Sequence, residues 1–199
     1  MLILAFDTAT DVATVALLRE DRVLGERASR AVRVLQDTEE LLEAAGLGSE
    51  DVEGIVVGTG PGSYTGLRMG LVTARTLSFS LGVPVAGVST LDALAAGAPD
   101  AYPVIDARRK EVFTLEAGRP ACLPAAALEV EPGRVYVGDG AVAYRDGIQG
   151  AGGIVPPDDA SEHVPWARHH ALLARDFGPG EAAEPIYLRA PDAERALAR

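Results

Sequence analysis

The chain has 199 residues, 48% of them hydrophobic, which is enough for one large domain or two small lobes and excludes wholesale disorder. Its formal net charge of −11 at pH 7 argues against nucleic-acid binding by the chain alone, because phosphate contacts need a basic face. Cys122 is the only cysteine, which excludes an intrachain disulfide and a cysteine-based metal site.

The N-terminal segment predicts a protein of the cytoplasm. It has no basic n-region, and Asp7 interrupts its apolar run, so we do not expect a signal peptide. No stretch reaches the roughly 18 apolar residues of a membrane span, so we expect no membrane partner.

Hydrophobic periodicity predicts alternating strands and helices in the first half of the chain. The turn DTATD, rich in side-chain oxygens, joins the first two strands. The first helix shows apolar residues every three or four positions until Gly46 and Gly48 stop it. The predicted elements are strands at 2–6, 12–19, 22–27, 53–57 and 83–88, and helices at 31–45, 65–81 and 90–96.

The pattern of the first half restarts near residue 102. Asp106 follows an apolar strand as Asp7 follows the first one, and Gly138-Asp139-Gly140 follows a strand as Gly58-Thr59-Gly60 does. This repetition indicates an internal duplication, with chance resemblance between two α/β halves as the alternative. The predicted elements are strands at 102–105, 111–115 and 134–137, an irregular connection at 151–165, a helix at 166–176 and an extended segment at 181–189.

The loop and helix start GTGPGSYTGLRMG, residues 58–70, fit neither common phosphate-binding motif. A dinucleotide motif would place its third glycine at Ser63, and no acid ends the next strand. A P-loop would need Gly-Lys-Ser or Gly-Lys-Thr, which does not follow.

The helix after this loop has one face of small residues. Gly66, Gly70 and Ala74 recur every four positions, which lets another backbone approach closely, either that of the protein's own sheet or that of a partner helix. The opposite face carries Arg68, Val72, Arg75 and Phe79. Arginine and aromatic residues are enriched at interfaces, so this face is a candidate partner surface; the alternative is a helix merely packed on its sheet.

Other site patterns are weak or open. Asp7, Thr8, Thr10 and Asp11 form an oxygen-rich turn, either a nucleotide-facing turn of an actin-like fold or an ordinary hairpin turn. The chain has no His-x-x-x-His or His-Glu-x-x-His motif, and the adjacent His169 and His170 point different ways on a helix, which argues against a histidine-based metal site. Ser63 lacks the Gly-x-Ser-x-Gly context of a hydrolase.

Five segments together resemble the TsaB (YeaZ) family, a bacterial component of the machinery that makes threonylcarbamoyladenosine in tRNA. They are LAFDTATDVATVAL, GTGPGSYTGLRMGLVTARTLS, GVPVAGVSTLDALA, PVIDARRKEVF and EPIYLR, and they span most of the chain. The resemblance implies an α/β, actin-like ASKHA (ribonuclease H-like) fold with two duplicated lobes, the second reduced. The implied lobes are residues 1–100 and 101–199, with the last helix packing back on the first lobe.

The resemblance also implies a non-catalytic scaffold for threonylcarbamoyl transfer to N6 of adenosine 37 in tRNA. Its partners would be the catalytic subunit TsaD, in a heterodimer, and the ATPase TsaE; the isolated chain would form a homodimer and meet tRNA only through the complex. TsaD holds its metal through a His-x-x-x-His helix, whereas the corresponding SRAVRVLQDTEELLEAA has no histidine. The alternatives are a metal-dependent TsaD-like transferase or glycoprotease-type hydrolase, and a nucleotide-binding ASKHA kinase relative.

The residues that the resemblance assigns fall into three groups, with no catalytic residue and no metal ligand among them. The only cofactor considered is weakly bound ATP or ADP at the subunit interface. Where relatives carry His-Ser at the start of the first helix, this chain has Arg30 and Ala31. The groups are Asp7, Thr8, Thr10, Gly60, Gly62 and Ser63 for a cofactor; Leu35, Thr38, Leu42, Arg68, Val72, Arg75, Thr76 and Phe79 for the partner; and Gly66, Gly70 and Ala74 for helix packing.

Overall fold

A computed structural model describes residues 1–189, and the first half of the chain forms a five-stranded mixed sheet. The strands are β1 (Leu2–Asp7), β2 (Ala13–Arg19), β3 (Arg22–Ser29), β4 (Gly54–Gly58) and β5 (Val85–Val88), in the spatial order β3-β2-β1-β4-β5. β1 pairs antiparallel with β2 and parallel with β4. This central strand is covered on both faces, which explains why its sequence is a nearly continuous apolar run.

The second half repeats the same strand order in a smaller form. Its strands are β6 (Tyr102–Pro103), β7 (Ile105–Asp106), β8 (Glu111–Glu116), β9 (Arg119–Pro124) and β10 (Tyr136–Val137). β6 and β7 are two parts of one extended stretch, separated only by Val104. The pairs β7-β8 and β8-β9 are antiparallel and β6-β10 is parallel, as in the first half. A counterpart of β5 is absent from residues 1–189, so the predicted duplication with a reduced second lobe is confirmed.

Six helices are present in residues 1–189. They are α1 (Val34–Ala44), α2 (Tyr64–Leu81), α3 (Thr90–Gly97), α4 (Asp139–Ala143), α5 (Arg145–Gly150) and α6 (Ala167–Leu173). Residues of α1 and α2 share one apolar cluster with β1, β2 and β4. Residues of α6 share a second cluster with β1, β2, β4 and β5. The first sheet therefore has helices on both faces. The last helix, α6, packs on this sheet although it follows the second lobe in the sequence.

The small face of α2 packs on the protein's own first strand. A Cβ atom at Gly66 would lie 2.0 Å from the Thr8 carbonyl oxygen, and one at Gly70 would lie 2.4 Å from the Thr8 hydroxyl. Ala74 is fully buried in the first apolar cluster. The sequence left two possible neighbours for this face, the protein's own sheet and a partner helix. The structure shows that it packs on the sheet, because Thr8, directly after β1, leaves no room for a side chain at Gly66 or Gly70.

The end points of α2 follow from local chemistry. Ser63 is the N-cap and its hydroxyl accepts a hydrogen bond from the N–H of Gly66 at 3.3 Å, as serine favours at this position. Gly82 ends the helix in the left-handed conformation, with φ of +69°, and that conformation is open to glycine at no steric cost.

Several predicted elements differ from the structure. Residues 31–33 form a 3-10 turn before α1, and α6 ends at Leu173 rather than 176. The chain leaves α6 because Gly178 pairs with Val85 at the edge of the first sheet. The sequence analysis missed β9, α4 and α5. Pro120 and Pro124 argue against a strand, but β9 is an edge strand, where proline is tolerated.

The division of the chain into lobes at residue 100 remains a prediction. Within residues 1–189, no helix is both long enough and apolar enough to cross a membrane.

We predict that Gly66→Ala lowers the free energy of unfolding by about 2–4 kcal/mol, because the new methyl group would overlap the Thr8 carbonyl. The matched control is Gly147→Ala in α5, where a Cβ atom meets nothing within 4 Å. Alanine is the better helix former, so the control should stabilise the protein by up to about 1 kcal/mol. Urea unfolding measures both, and equal effects would show that the contact of α2 with β1 is not tight.

Candidate functional site

The first strand ends in a buried carboxylate that is bound from several sides. Asp7 is fully buried, and Nε2 of His170 lies 2.7 Å from its Oδ2 atom. The Thr90 hydroxyl donates to the same oxygen at 2.6 Å, and the N–H of Ala9 donates to Oδ1 at 2.5 Å. Asp7 therefore has protein partners at both of its oxygens.

The environment of Asp7 favours the ionised form. Burial alone would raise the pKa of this carboxyl group, but the charge of His170 and the hydrogen bonds from His170, Thr90 and Ala9 outweigh burial and hold the pKa below its ordinary value. The sequence analysis discounted His170 because no local motif includes it. It reaches Asp7 only because α6 packs on the sheet.

Three of the six predicted cofactor residues, Asp7, Thr8 and Gly60, lie in the interior of the protein. Asp7 and Thr8 are buried, and the Thr8 hydroxyl donates to the carbonyl of Gly66 at 2.7 Å. The N–H of Gly60 donates to the Thr90 hydroxyl at 3.2 Å. The polar atoms of Asp7, Thr8 and Gly60 are thus used inside the protein, and their assignment to a cofactor stays a prediction.

The other three predicted cofactor residues, Thr10, Gly62 and Ser63, line a cleft between the two halves of the chain. Its volume is about 430 Å³. The remaining lining residues come from the turn after β1, the start of α2, β7 and the turn that follows it, β8, the start of α4 and the segment 186–189. They include Ile105, Phe113, Ile186, Tyr187, Leu188 and Arg189.

The charged groups of the cleft are three carboxylates and two arginines, Arg108 and Arg189. Arg108 contacts Asp11 at 2.7 Å and Asp106 at 3.1 Å, and Asp139 accepts a hydrogen bond from the N–H of Asp106 at 2.9 Å. Burial, together with the neighbouring charges of Asp106 and Asp11, raises the pKa of Asp139 to about 6, although hydrogen bonds from the backbone N–H groups of Asp106 and Gly140 act in the opposite direction. The three carboxylates outnumber the two arginines, so the cleft lacks the net positive charge that favours a phosphate group.

Residues 178–189, which we call the closing segment, run from the first sheet to the second lobe. Gly178 pairs with Val85 of β5, and the N–H of Ile186 donates to the carbonyl of Thr59 at 2.8 Å. Tyr187 then packs on Tyr64, with ring centres 5.2 Å apart. The last described residue, Arg189, binds Glu111 of β8 at 2.7 Å. The closing segment therefore ties both lobes together along the cleft.

The outer face of α2, defined by Arg68, Val72, Arg75, Thr76 and Phe79, is exposed to solvent. Val72 is 62% exposed and Phe79 is 90% exposed. Leu35 of α1 is 57% exposed, and Val32, in the 3-10 turn that packs beside α2, is 78% exposed. Monomeric proteins rarely expose several large apolar side chains together.

Two residues assigned to the partner surface are not exposed to solvent. Thr38 and Leu42 are buried, Leu42 lies in the first apolar cluster, and the Thr38 hydroxyl donates to the carbonyl of Val34 at 2.7 Å. These two residues lie on the side of α1 that faces the sheet, and their assignment to the partner surface stays a prediction. Arg75 is exposed but also donates to the carbonyl of Ala183 at 3.0 Å, so it holds the closing segment.

Within residues 1–189, no group of three or more His, Cys, Asp or Glu side chains lies close enough together to hold a metal ion.

The chain has two related α/β lobes, the second repeats the strand order of the first, and a cleft lies between them. This arrangement defines an actin-like (ASKHA) protein. The activator of 2-hydroxyisocaproyl-CoA dehydratase from Clostridium difficile, solved with bound ADPNP, has this fold in common with the chain. Its TM-score is 0.51 at 14% identity, over 87% of this chain and 94% of that one.

More similar proteins define the family. The sequence profile of the TsaD family, described as tRNA N6-adenosine threonylcarbamoyltransferase, matches residues 23–123. YeaZ from Pseudomonas aeruginosa is 31% identical, with a TM-score of 0.76 over 94% of this chain and 99% of that one. The tRNA threonylcarbamoyladenosine biosynthesis protein TsaB of Bacillus subtilis is 41% identical over 123 residues, which cover 57% of this chain and only about half (54%) of that relative. The chain belongs to the TsaB (YeaZ) family, as its sequence motifs predicted.

We predict that Asp7→Asn lowers the free energy of unfolding at pH 7 by about 2–4 kcal/mol, because it removes a buried carboxylate that is bound by His170, Thr90 and the N–H of Ala9. The folded pKa of Asp7 is lowered, so its stabilising effect is fully present above the ordinary value of 3.8 and is lost as the pH falls through the folded pKa. Unfolding of the wild type should therefore depend more steeply on acid pH than that of the variant.

Asp11→Asn is the control for Asp7→Asn, since it removes an exposed ion pair with Arg108 and should cost less than about 1 kcal/mol. A loss at Asp7 no larger than at Asp11 would contradict a structural role for the buried pair.

We predict that Asp139→Asn stabilises the protein at neutral pH. The raised folded pKa means that the contribution of Asp139 to stability is fully present below pH 3.8 and is lost as the pH rises through about 6. The variant keeps the oxygen that accepts from Asp106 and should gain on the order of 1–3 kcal/mol at pH 7.5, but almost nothing at pH 4. Urea unfolding at the two pH values checks this, and a gain that does not depend on pH would contradict it.

Proposed function

We propose that the chain is a non-catalytic subunit in the biosynthesis of threonylcarbamoyladenosine in tRNA and that it binds a TsaD-type catalytic subunit through the outer face of α2. The observation that carries this proposal is the exposure of Val72 and Phe79 on that face, together with that of Val32 in the neighbouring 3-10 turn. The names of the similar proteins supply the process.

The exposed apolar side chains support a protein partner for this face. Burying a valine and a phenylalanine on association contributes about 1.5–3 kcal/mol for each side chain. The flanking Arg68 lies over the ring of Tyr64, with 4.1 Å between the guanidinium carbon and the ring centre, so its position is fixed before a partner arrives. A fixed arginine beside large apolar groups is the composition expected of an interface centre.

The arrangement around Asp7 supports the absence of catalysis. In actin-like folds this turn faces the nucleotide phosphates and their metal, whereas here His170 and Thr90 bind the carboxylate. The chemistry would then belong to the TsaD-type subunit. Stoichiometric zinc or iron in the purified chain would instead support the alternative of a metal-dependent transferase or hydrolase.

The remaining partners are part of the same proposal. A TsaE-type ATPase would join the assembly, and the isolated chain would use the outer face of α2 to form a homodimer. Any ATP or ADP would contact Thr10, Gly62 and Ser63, which are the predicted cofactor residues that line the cleft. Tight ATP binding by the isolated chain would favour the kinase-like alternative, and calorimetry measures it.

The interface can be tested with Val72→Asp combined with Phe79→Asp. We expect the wild-type chain to co-elute with the TsaD relative of the same organism in size-exclusion chromatography. The double variant should raise the Kd at least about 100-fold, because two buried anchors become charged. Its thermal unfolding should stay near that of the wild type, since both side chains are exposed.

The matched control is Ile154→Asp, which places a charge at an exposed apolar residue of the second lobe and should leave the complex intact. Failure of the wild-type chain to bind its TsaD relative would contradict the proposed function. Binding by the double variant at the wild-type Kd would place the interface elsewhere.

A further inference from the structure

The hairpin between β7 and β8 carries the only run of three lysine or arginine residues in the chain. Arg108, Arg109 and Lys110 form it, and Lys110 is the only lysine among the 199 residues. All three are exposed. In a chain with a net charge of −11, this concentration of cations at one turn is the exception to an acidic surface.

The backbone of this turn is strained. Arg108, Arg109 and Lys110 have φ of 61°, 56° and 63°, so three consecutive residues with side chains adopt the left-handed conformation. That conformation is normally left to glycine and seldom occurs in consecutive residues. Strain of this kind persists where the surrounding structure holds it and is concentrated at functional sites.

The surrounding hydrogen bonds hold the turn in place. The N–H of Ala107 donates to the Glu111 carbonyl at 3.0 Å, and the N–H of Ala125 donates to the Lys110 carbonyl at 2.8 Å. The N–H of Arg108 donates to the Asp106 carboxylate at 2.8 Å, and its guanidinium contacts Asp11 of the first lobe. The basic turn is therefore a rigid feature at the rim of the cleft.

The phosphate backbone of a nucleic acid fits this turn better than a protein or a free nucleotide does. Lysine is a compact point charge suited to phosphate, and arginine binds phosphate through a planar fork. The apolar outer face of α2 suits a protein, whereas the basic turn has no exposed large apolar group among its three residues. A free nucleotide would have to enter a cleft that already contains Asp11, Asp106 and Asp139.

We infer that the turn Arg108–Arg109–Lys110, held in place by the ion pairs of Arg108, contacts the phosphate backbone of tRNA through Arg109 and Lys110 when the chain is assembled with its TsaD-type subunit. The inference rests on the proposed function and adds a direct RNA contact to it. The acidic remainder of the chain limits that contact to this turn, so the chain alone should hold tRNA weakly.

The single lysine allows a direct test. The full chain, its TsaD relative and tRNA are mixed at low salt and treated with an amine-acetylating reagent, and mass spectrometry follows Lys110 separately from the N-terminal amine. We expect tRNA to slow acetylation of Lys110 at least about fivefold, and the TsaD relative alone or ATP alone to leave it unchanged.

Each other outcome of this test decides against the inference. If tRNA does not protect Lys110, the turn does not contact RNA. Equal protection by the TsaD relative alone would indicate a protein contact at the turn, and equal protection by ATP alone would indicate a nucleotide site. Size-exclusion chromatography of the same mixture reports separately whether the complex forms, so failure of the proposed function is seen on its own.

Substitutions separate charge from backbone strain. Lys110→Gln should lower the affinity of the complex for tRNA about fivefold at low salt and reduce the slope of log affinity against log salt concentration by about one, while Lys110→Arg should restore both. Lys110→Gly should weaken tRNA binding in the same way but raise the melting temperature by about 2–4 °C, because glycine relieves the strain.

The matched control is Ala117→Gly in the hairpin between β8 and β9, where Ala117 has φ of 48°. It should raise the melting temperature similarly and leave tRNA affinity unchanged. A tRNA affinity that Lys110→Gln does not alter, or that Ala117→Gly lowers equally, would overturn the inference.

Discussion

The buried contact between Asp7 and His170 is the interaction on which the rest of the structure depends. It joins the end of the first strand to the last helix, and neither side chain is exposed to solvent. The whole second lobe lies between these residues in the sequence. One face of the first sheet is covered by α6, which follows the second lobe in the sequence. Each lobe therefore stabilises the other.

The return path also organises the surface. After α6 the closing segment follows the edge of β5, passes Arg75 and ends against β8. Arg75 belongs to the outer face of α2, and Tyr64, at the start of the same helix, packs on Tyr187 of the closing segment. The proposed protein interface and the cleft thus share one helix, and a partner seated on α2 would lie next to the segment that borders the cleft.

Three surface regions of the molecule differ in charge. The outer face of α2 combines apolar groups with arginine, the cleft gathers carboxylates that raise the pKa of Asp139, and the hairpin at residues 108–110 carries exposed cations. A protein that carries a surplus of negative charge can contact RNA only where cations are concentrated. The proposed assembly fits this division, because the acidic remainder of the chain would not hold tRNA by itself.

The sequence by itself determined most strands, the helices α1, α2 and α3, the duplication and the family, because periodicity, glycine spacing and local motifs are properties of neighbouring residues. It also placed Arg68, Val72, Arg75 and Phe79 on one side of α2, opposite Gly66 and Gly70, since both faces follow from the helical repeat. Only the tertiary structure decided that the small face meets β1, that Thr38 and Leu42 are buried and that His170 reaches Asp7. These facts depend on contacts between segments far apart in the chain, for which no local pattern carries a signal.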